Sequence, residues 1–192
     1  MLLVFLLEEE SMKALLDILL PKVLPESVAF QCIPHEGKQD LEKSIPRKLK
    51  AWKTPDTYFV IVRDKDNANC LDVKQRLVTL CSEAGRSDSL VRIACHELES
   101  WFLGDLAAVG QAFNLPKLMK MQNRKKYKKP DNLANASQEL EKLVKSYRKV
   151  SGAKKIAHYL TIENNHSQSF LCFISGVQSL ISNNESFHPI NG

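Results

Sequence analysis

The chain has 192 residues, of which 44% are hydrophobic and 26% are charged, and its formal net charge is +5 at pH 7. A chain of this length and composition can bury one full hydrophobic core with a small appended subdomain, which excludes a mostly disordered protein. The apolar run at 1–7 lacks the positive flank and cleavage site of a signal peptide and is too short to cross a bilayer. We therefore expect a cytoplasmic protein without a membrane attachment.

Four short apolar and β-branched runs in the first half of the chain predict β-strands, and they cover 2–7, 28–33, 57–62 and 90–95. Helical patterns begin between them, near Ser11, Gln39 and Leu71. We expect Pro21 to end the first helix and Pro46 to split or kink the second, because proline removes a backbone donor. Strands that alternate with crossover helices predict an α/β fold, namely a three-layer core with a mostly parallel four-stranded sheet.

From Ala107 onward the pattern changes to helices and basic loops without clear strands. This change predicts a core at 1–106 and a helical, basic C-terminal subdomain at 107–192 that packs on the core. The stretch 117–155 has 13 basic and 3 acidic residues, whereas the rest of the chain has 14 basic and 19 acidic residues. A basic region beside an acidic body suits a polyanion such as nucleic acid better than a membrane.

Acidic residues follow three of the predicted strands. Glu8 follows the first, Asp64 and Asp66 end the third, and Glu97 and Glu99 follow the fourth. Ligands of parallel sheets bind beyond the carboxyl ends of the strands, so we expect these acids to meet at one edge. Acids that meet there would need a cation or a shared proton. The alternative is that each cluster caps a helix, because helix N-termini also favour acids.

Asp64 and Asp66 form a D-x-D pair. In an extended chain they would point the same way, with Cα atoms roughly 6.5–7 Å apart, while Arg63 and Lys65 would point away. Two carboxylates at this spacing can share one Mg²⁺ ion. The alternative is a polar turn that caps the helix near Leu71.

Glu97 and Glu99 would lie about 200° apart on a helix, so that one of them faces the site, whereas an extended chain would point both the same way. We prefer Glu97 and keep Glu99 as a candidate. Asp105 falls inside an apolar helical stripe, where a capping role is the simplest interpretation.

The basic region contains the predicted nucleic-acid contacts. The charge run at 123–131 contains one aromatic residue, Tyr127. Such a run can hold phosphates and stack a base. The alternative is a solvated loop. Ser151–Ala157 predicts a turn into a helix whose amides and a lysine bind a phosphate, although the flanking glycine of a P-loop is missing. The predicted contacts are Arg124, Lys125, Lys126, Tyr127, Lys128, Lys129 and Lys155.

Other chemistries find little support in the sequence. The five histidines show no H-E-x-x-H spacing, and the five single cysteines show no C-x-x-C, which argues against a zinc site or a disulfide frame. Neither G-x-G-x-x-G nor a Walker lysine loop is present, which argues against NAD or ATP bound in those ways. Metal-assisted phosphoryl chemistry remains.

Four segments together resemble an uncharacterised bacterial family with a Toprim-like core, and the resemblance covers nearly the whole chain. These segments are 7–12, 63–66, 97–102 and 151–157, and their sequences are LEEESM, RDKD, ELESWF and SGAKKIA. The family is related to the nuclease effector of the PARIS anti-phage defence system, which has an OLD-nuclease-like Toprim core and works with an ABC-type ATPase.

The resemblance implies roles for individual residues. Glu8 would be the Toprim glutamate, and Asp64 and Asp66 would complete a Mg²⁺ or Mn²⁺ site. Glu97 or Glu99 would match a later acid, and Lys154 a late basic residue. Two positions depart from the pattern, because Glu9 stands where glycine is usual and Met12 where a second acid is common. The number of metal ions therefore stays open.

The resulting hypothesis is a Mg²⁺- or Mn²⁺-dependent nuclease that acts on RNA or DNA, in which the candidate catalytic residues are Glu8, Asp64, Asp66, Glu97, Glu99 and Lys154. One alternative is a non-catalytic nucleic-acid- or protein-binding module on a Toprim scaffold, and another is a small-molecule phosphoesterase. The sequence leaves open whether the chain forms a homodimer and whether it needs the ATPase partner.

Overall fold

The computed structural model describes residues 1–185 and contains four strands and eight α-helices. The strands are β1 (Leu2–Leu7), β2 (Ala29–Pro34), β3 (Thr57–Asp64) and β4 (Leu90–Ala94). The helices are α1 (Glu10–Val23), α2 (Lys38–Ala51), α3 (Cys70–Glu83), α4 (Glu99–Leu103), α5 (Leu106–Ala112), α6 (Ala136–Leu143), α7 (Lys149–Ala157) and α8 (Gln168–Glu185). Short 3-10 turns lie at Leu118–Lys120 and Pro130–Asn132.

The four strands form one parallel sheet in the order β2-β1-β3-β4. Strand β1 lies inside the sheet, and its residues from Leu3 to Leu7 are fully buried, as the uninterrupted apolar run predicts. The register pairs Leu7 with Val62 and Asp64 with Ala94, so β1, β3 and β4 end near one another. The predicted four-stranded parallel sheet is confirmed.

Helices cover both faces of the sheet. Alternate strand residues point to opposite faces, so Phe5 and Leu7 join one buried cluster while Val4 and Leu6 join the other. The first cluster includes side chains of α1, α4, α5, α7 and α8, and the second those of α2 and α3. The arrangement is a three-layer α/β core, as predicted.

Helix α7 packs on α1 and is tied to it by one lysine. Lys22 Nζ donates to the carbonyl oxygens of Ala157 and His158, at 2.9 and 2.8 Å. The first buried cluster runs continuously from Leu3 to Phe173 and so crosses the predicted boundary at 106. The two-part division stays a prediction, and 186–192 lie outside the described residues. Within 1–185, no helix combines the length and apolar character needed to span a membrane.

The predictions that Pro21 ends the first helix and that Pro46 splits the second are wrong, while a kink at Pro46 stays a prediction. Helix α1 continues past Pro21 to Val23, and α2 runs unbroken from Lys38 to Ala51 with Pro46 inside it. Each proline costs one backbone hydrogen bond, but buried residues lie on both sides of Pro46, such as Ile45 and Leu49. We attribute the continuity of α2 to this packing, which outweighs the local preference of proline.

Candidate functional site

The carboxyl edge of the sheet brings Glu8 to the end of β3. Glu8 directly follows β1, and its Oε2 accepts a 3.0 Å hydrogen bond from the backbone N–H of Asp64. Burial raises the pKa of Glu8 above its ordinary value, although the hydrogen bond from Asp64 opposes the shift. The predicted meeting of acids from β1 and β3 is therefore confirmed.

Asp64 is the most constrained acid at this edge. Its side chain is almost fully buried, and its Oδ1 has no hydrogen-bond partner among the described residues. Burial raises the pKa of Asp64 well above its ordinary value, and the nearby negative charges of Glu8, Glu9 and Glu99 raise it further. An aspartate in this position gains from a bound cation or from a retained proton.

Glu99 joins the same group from β4's side. It is the first residue of α4 and is fully buried. Its Oε1 accepts a 3.0 Å hydrogen bond from the Tyr147 hydroxyl, while its Oε2 has no partner within 1–185. Burial raises the pKa of Glu99, and Lys149 and Tyr147 lower it by a smaller amount. We call Glu8, Asp64 and Glu99 the acid cluster.

Lys149 supplies a positive charge to the acid cluster. It is the first residue of α7, and its Nζ lies 2.5 Å from Glu9 Oε2. Burial lowers the pKa of Lys149, but the hydrogen bond to Glu9 and the charges of Glu99 and Asp64 raise it above its ordinary value. Lys149 was missed as a site residue in the sequence. Its place offered a signal, because the helix dipole disfavours a cation at a helix N-terminus unless an acid elsewhere compensates.

Tyr147 was also missed, and Gly152 makes room for it. The Tyr147 side chain is buried, and a Cβ on Gly152 would collide with the Tyr147 ring. The Ser151–Ala157 segment lies within α7, and its glycine leaves room for this ring, while phosphate binding by the segment stays a prediction. This packing aims the Tyr147 hydroxyl at Glu99.

Asp66 does not share the orientation predicted for it. Strand β3 ends at Asp64, and Asp66 lies in a turn with φ 53°, in the left-handed region. Its half-exposed carboxylate forms a 2.8 Å ion pair with Lys38. The strand alternation that predicted a shared side thus ends two residues before Asp66. The charge of Asp66 still raises the pKa of Glu8, so Asp66 lies at the rim of the acid cluster.

Arg63 lies closer to the acids than predicted. Its Nη1 donates a 2.6 Å hydrogen bond to Glu42 Oε1, which fixes the guanidinium toward α2. Its Nε remains 3.8 Å from Glu8 Oε2, which is too long for a hydrogen bond. Glu8 is therefore near an arginine but is not hydrogen-bonded to it.

The preference for Glu97 over Glu99 is reversed. Glu97 Oε2 accepts a 2.8 Å hydrogen bond from the backbone N–H of Ser137, so Glu97 caps the start of α6. The chain turns at His96, where φ is 63°, and α4 begins only at Glu99. The later start changes which acid faces the cluster. Asp105 caps α5 through the N–H of Ala108, as predicted.

Lys154 and Lys155 are not brought to the acid cluster. Both side chains are exposed on α7, and Lys155 Nζ lies 5.6 Å from the centre of the Phe113 ring. Lys154 follows Lys149 by five residues, which places it about 140° away around the helix. The lysine that reaches the acids is Lys149, not Lys154.

The basic run is only partly available to a ligand. Tyr127 is buried, and its hydroxyl donates a 2.7 Å hydrogen bond to Glu139 Oε1, so its predicted stacking on a base is wrong. Lys126 pairs with Glu139 Oε2 at 2.6 Å. The remaining predicted contacts of the run are exposed, namely Arg124, Lys125, Lys128 and Lys129. Their binding role stays a prediction.

The acid cluster has the type of ligand atoms that hard divalent cations prefer. All its donors are carboxylate oxygens, and two of them, on Asp64 and Glu99, are buried without partners. Mg²⁺ and Mn²⁺ prefer such oxygens. Within 1–185, however, no three His, Cys, Asp or Glu side chains are already arranged to hold a metal ion. The residues fit the ion by type, and binding would require side-chain movement.

The fold and the acid cluster define a three-layer α/β protein with carboxylates gathered at the carboxyl edge of a parallel sheet. The chain belongs to the family described as a domain of unknown function, DUF4276, whose model matches residues 7–178. The matched stretch includes the acid cluster, Tyr147 and Lys149. Comparison with curated proteins gives no match, and comparison with solved structures gives none.

Proposed function

We propose that the protein is a Mg²⁺- or Mn²⁺-dependent nuclease of the Toprim type, with the acid cluster as its centre. One observation supports the proposal most strongly. Three chain segments place Glu8, Asp64 and Glu99 at one sheet edge, where burial raises the pKa of each. Clustered acids with raised pKa values are costly for folding and are typical of functional sites.

Each residue has a proposed task. Glu8, Asp64 and Glu99 bind the ion in their deprotonated forms, and Tyr147 holds Glu99 in place through its hydroxyl. When bound, the ion supplies charge stabilisation to a phosphodiester and activates water. Lys149 places its ammonium near the same centre and stabilises negative charge that develops on the phosphate. Asp66 stays a candidate ligand at the rim.

Cleavage assays test this proposal directly. The purified chain should cleave RNA or DNA oligonucleotides with Mg²⁺ or Mn²⁺ and not with EDTA. The variant Asp64→Asn should lose at least about 100-fold in rate, because an amide replaces a charged ligand. Glu97→Gln is the matched control, since Glu97 caps α6 and should keep most activity. Unchanged cleavage by Asp64→Asn would refute the mechanism.

The alternative is a non-catalytic nucleic-acid- or protein-binding module, and the ion pair between Lys149 and Glu9 favours it. An internal ammonium already balances part of the negative charge at the edge. Titration calorimetry with Mn²⁺ separates the two functions, because only the nuclease needs the ion. No Mn²⁺ binding together with retained oligonucleotide binding would select the binding module.

The resemblance also supports an ABC-type ATPase as partner and a role in anti-phage defence. We therefore include in the assays a parallel set with the ATPase encoded next to this gene, if one is present. Cleavage only in that set would make the partner a requirement.

A further inference from the structure

A cleft of about 560 Å³ opens between α6 and the start of α7. Its lining residues are Gln138, Glu141, Lys142, Lys145, Tyr147, Arg148 and Lys149. None of the contacts predicted at Arg124–Lys129 lines it. The cleft therefore has a different lining from that run, although Lys126 of the run and Lys142 of the cleft both lie near Glu139.

The charge of the cleft is strongly positive. Four of its lining residues are basic and one is acidic. Lys142 and Lys145 are exposed, and Arg148 Nη1 donates a 2.7 Å hydrogen bond to the carbonyl of Tyr147, which holds its guanidinium in place. Glu139, the acid one turn before Lys142, is already bound by Tyr127 and Lys126. Lys149 is already paired with Glu9, whereas Lys142, Lys145 and Arg148 form no ion pair within 1–185 and are available to a polyanion.

Two lining residues of the cleft also contact acids at the carboxyl edge of the sheet. Tyr147 lines the cleft and bonds Glu99, and Lys149 lines the cleft and pairs with Glu9. Tyr147 and Lys149 therefore stand between a polyanion in the cleft and the buried carboxylates.

We propose that this cleft binds the sugar-phosphate backbone of single-stranded nucleic acid and guides it to the acid cluster. Single strands are bound in positively charged grooves that follow the backbone. The volume of about 560 Å³ lies in the range of small-ligand pockets, and the comparison with a duplex probe tests the choice of a single strand. The binding step needs only the cleft, while the delivery to a cleavage centre rests on the proposed nuclease function.

Fluorescence anisotropy with EDTA present tests binding without cleavage. The probes are a labelled single-stranded 12-mer of mixed sequence and the duplex of the same sequence. The triple variant Lys142→Ala/Lys145→Ala/Arg148→Ala should lose at least about tenfold in affinity for the single strand. Its plot of log affinity against log salt should be shallower by about 2, since each lost contact to a single strand contributes about 0.7.

Two further triple variants have the same loss of charge. Lys43→Ala/Lys50→Ala/Lys53→Ala changes exposed lysines in and after α2, and it controls for net charge alone. Lys125→Ala/Lys128→Ala/Lys129→Ala tests the basic run as the rival surface. The α2 variant should change the affinity less than about threefold, and the basic-run variant should lose less affinity than the cleft variant. Thermal melting should show that all three variants are folded.

Equal losses in the three variants would overturn the proposal, because general attraction would explain them. Tighter binding of the duplex would overturn it as well. The nuclease proposal fails separately: in that case the cleft variant loses binding, but no metal ion supports cleavage by the wild type. If the wild type cleaves and the cleft variant keeps its KM, only the cleft proposal fails.

Discussion

The hydroxyl of Tyr147 lies 3.0 Å from Oε1 of Glu99, and both side chains are buried. This hydrogen bond joins the loop before α7 to the first residue of α4, across 48 positions of sequence. Through this hydrogen bond a neutral donor in the C-terminal part of the chain contacts the acid cluster directly. Loss of this hydrogen bond should therefore change both the free energy of unfolding and the pKa of Glu99.

Tyr147→Phe should lower the free energy of unfolding by about 1–3 kcal/mol at pH 8, because Glu99 then loses its donor while still charged. The hydroxyl lowers the pKa of Glu99, so its removal raises that pKa further. Protonation of Glu99 removes its unpaired charge. The loss of unfolding free energy in Tyr147→Phe should therefore shrink as pH falls toward 4.5. Urea denaturation at both pH values measures it. Tyr159→Phe, at an exposed tyrosine, should change little. A deficit independent of pH would contradict this account of Glu99.

Asp64→Asn should stabilise the fold by about 0.5–2 kcal/mol at pH 7.5, as expected where function opposes stability. The folded pKa of Asp64 is raised, so its contribution to stability falls as pH rises from the unfolded pKa through the folded pKa. The advantage of the amide should consequently disappear below about pH 4. Thermal melts should show a gain of about 2–4 °C per kcal/mol. Asp66→Asn, which breaks a half-exposed pair with Lys38, should cost less than about 1 kcal/mol. A less stable Asp64→Asn at pH 7.5 would contradict the prediction.

Gly152→Ala should destabilise the protein by about 1–3 kcal/mol, because the new Cβ would press on the buried Tyr147 ring. The sign is informative, since glycine to alanine inside a helix ordinarily stabilises by about 1 kcal/mol. Ser151→Ala is the matched control at the neighbouring exposed position of α7. Chemical denaturation measures both variants. A stabilising Gly152→Ala would mean that the Tyr147 ring can move aside.

Binding of Mn²⁺ should weaken as pH falls from 7.5 to 6, although both values lie above the ordinary pKa of a carboxylate. The acid cluster must lose its protons to bind the ion, and burial raises the pKa of all three members. Calorimetry in buffers of different ionisation enthalpy at pH 6 and 7.5 should therefore detect proton release on binding. Binding with no proton release at pH 6 would show that the acids are already ionised there.

The sheet was predictable because its strands have strong local signals. The run from Leu2 to Leu7 is apolar at every position, and the strand bounds of β1 agree with it. The location of Glu8 and Asp64 at one edge followed from a general property of parallel sheets. Sequence periodicity and topology therefore predict the strand segments and the sheet edge at which their carboxyl ends meet.

The orientation of individual acids was not predictable in the same way. The side that Asp66 faces depends on a left-handed turn that begins after β3 ends, and the choice between Glu97 and Glu99 depends on where α4 begins. A shift of one or two residues decides each case. The role of Lys149 was even harder to predict, because its partner Glu9 is 140 positions away and only tertiary packing brings the two residues together.

The separation between Glu9 and Lys149 has a consequence during synthesis. A ribosome has to make most of the chain before the acids acquire the lysine that partly neutralises them. A half-made polypeptide therefore contains Glu8, Asp64 and Glu99 but lacks the ammonium that offsets part of their mutual repulsion.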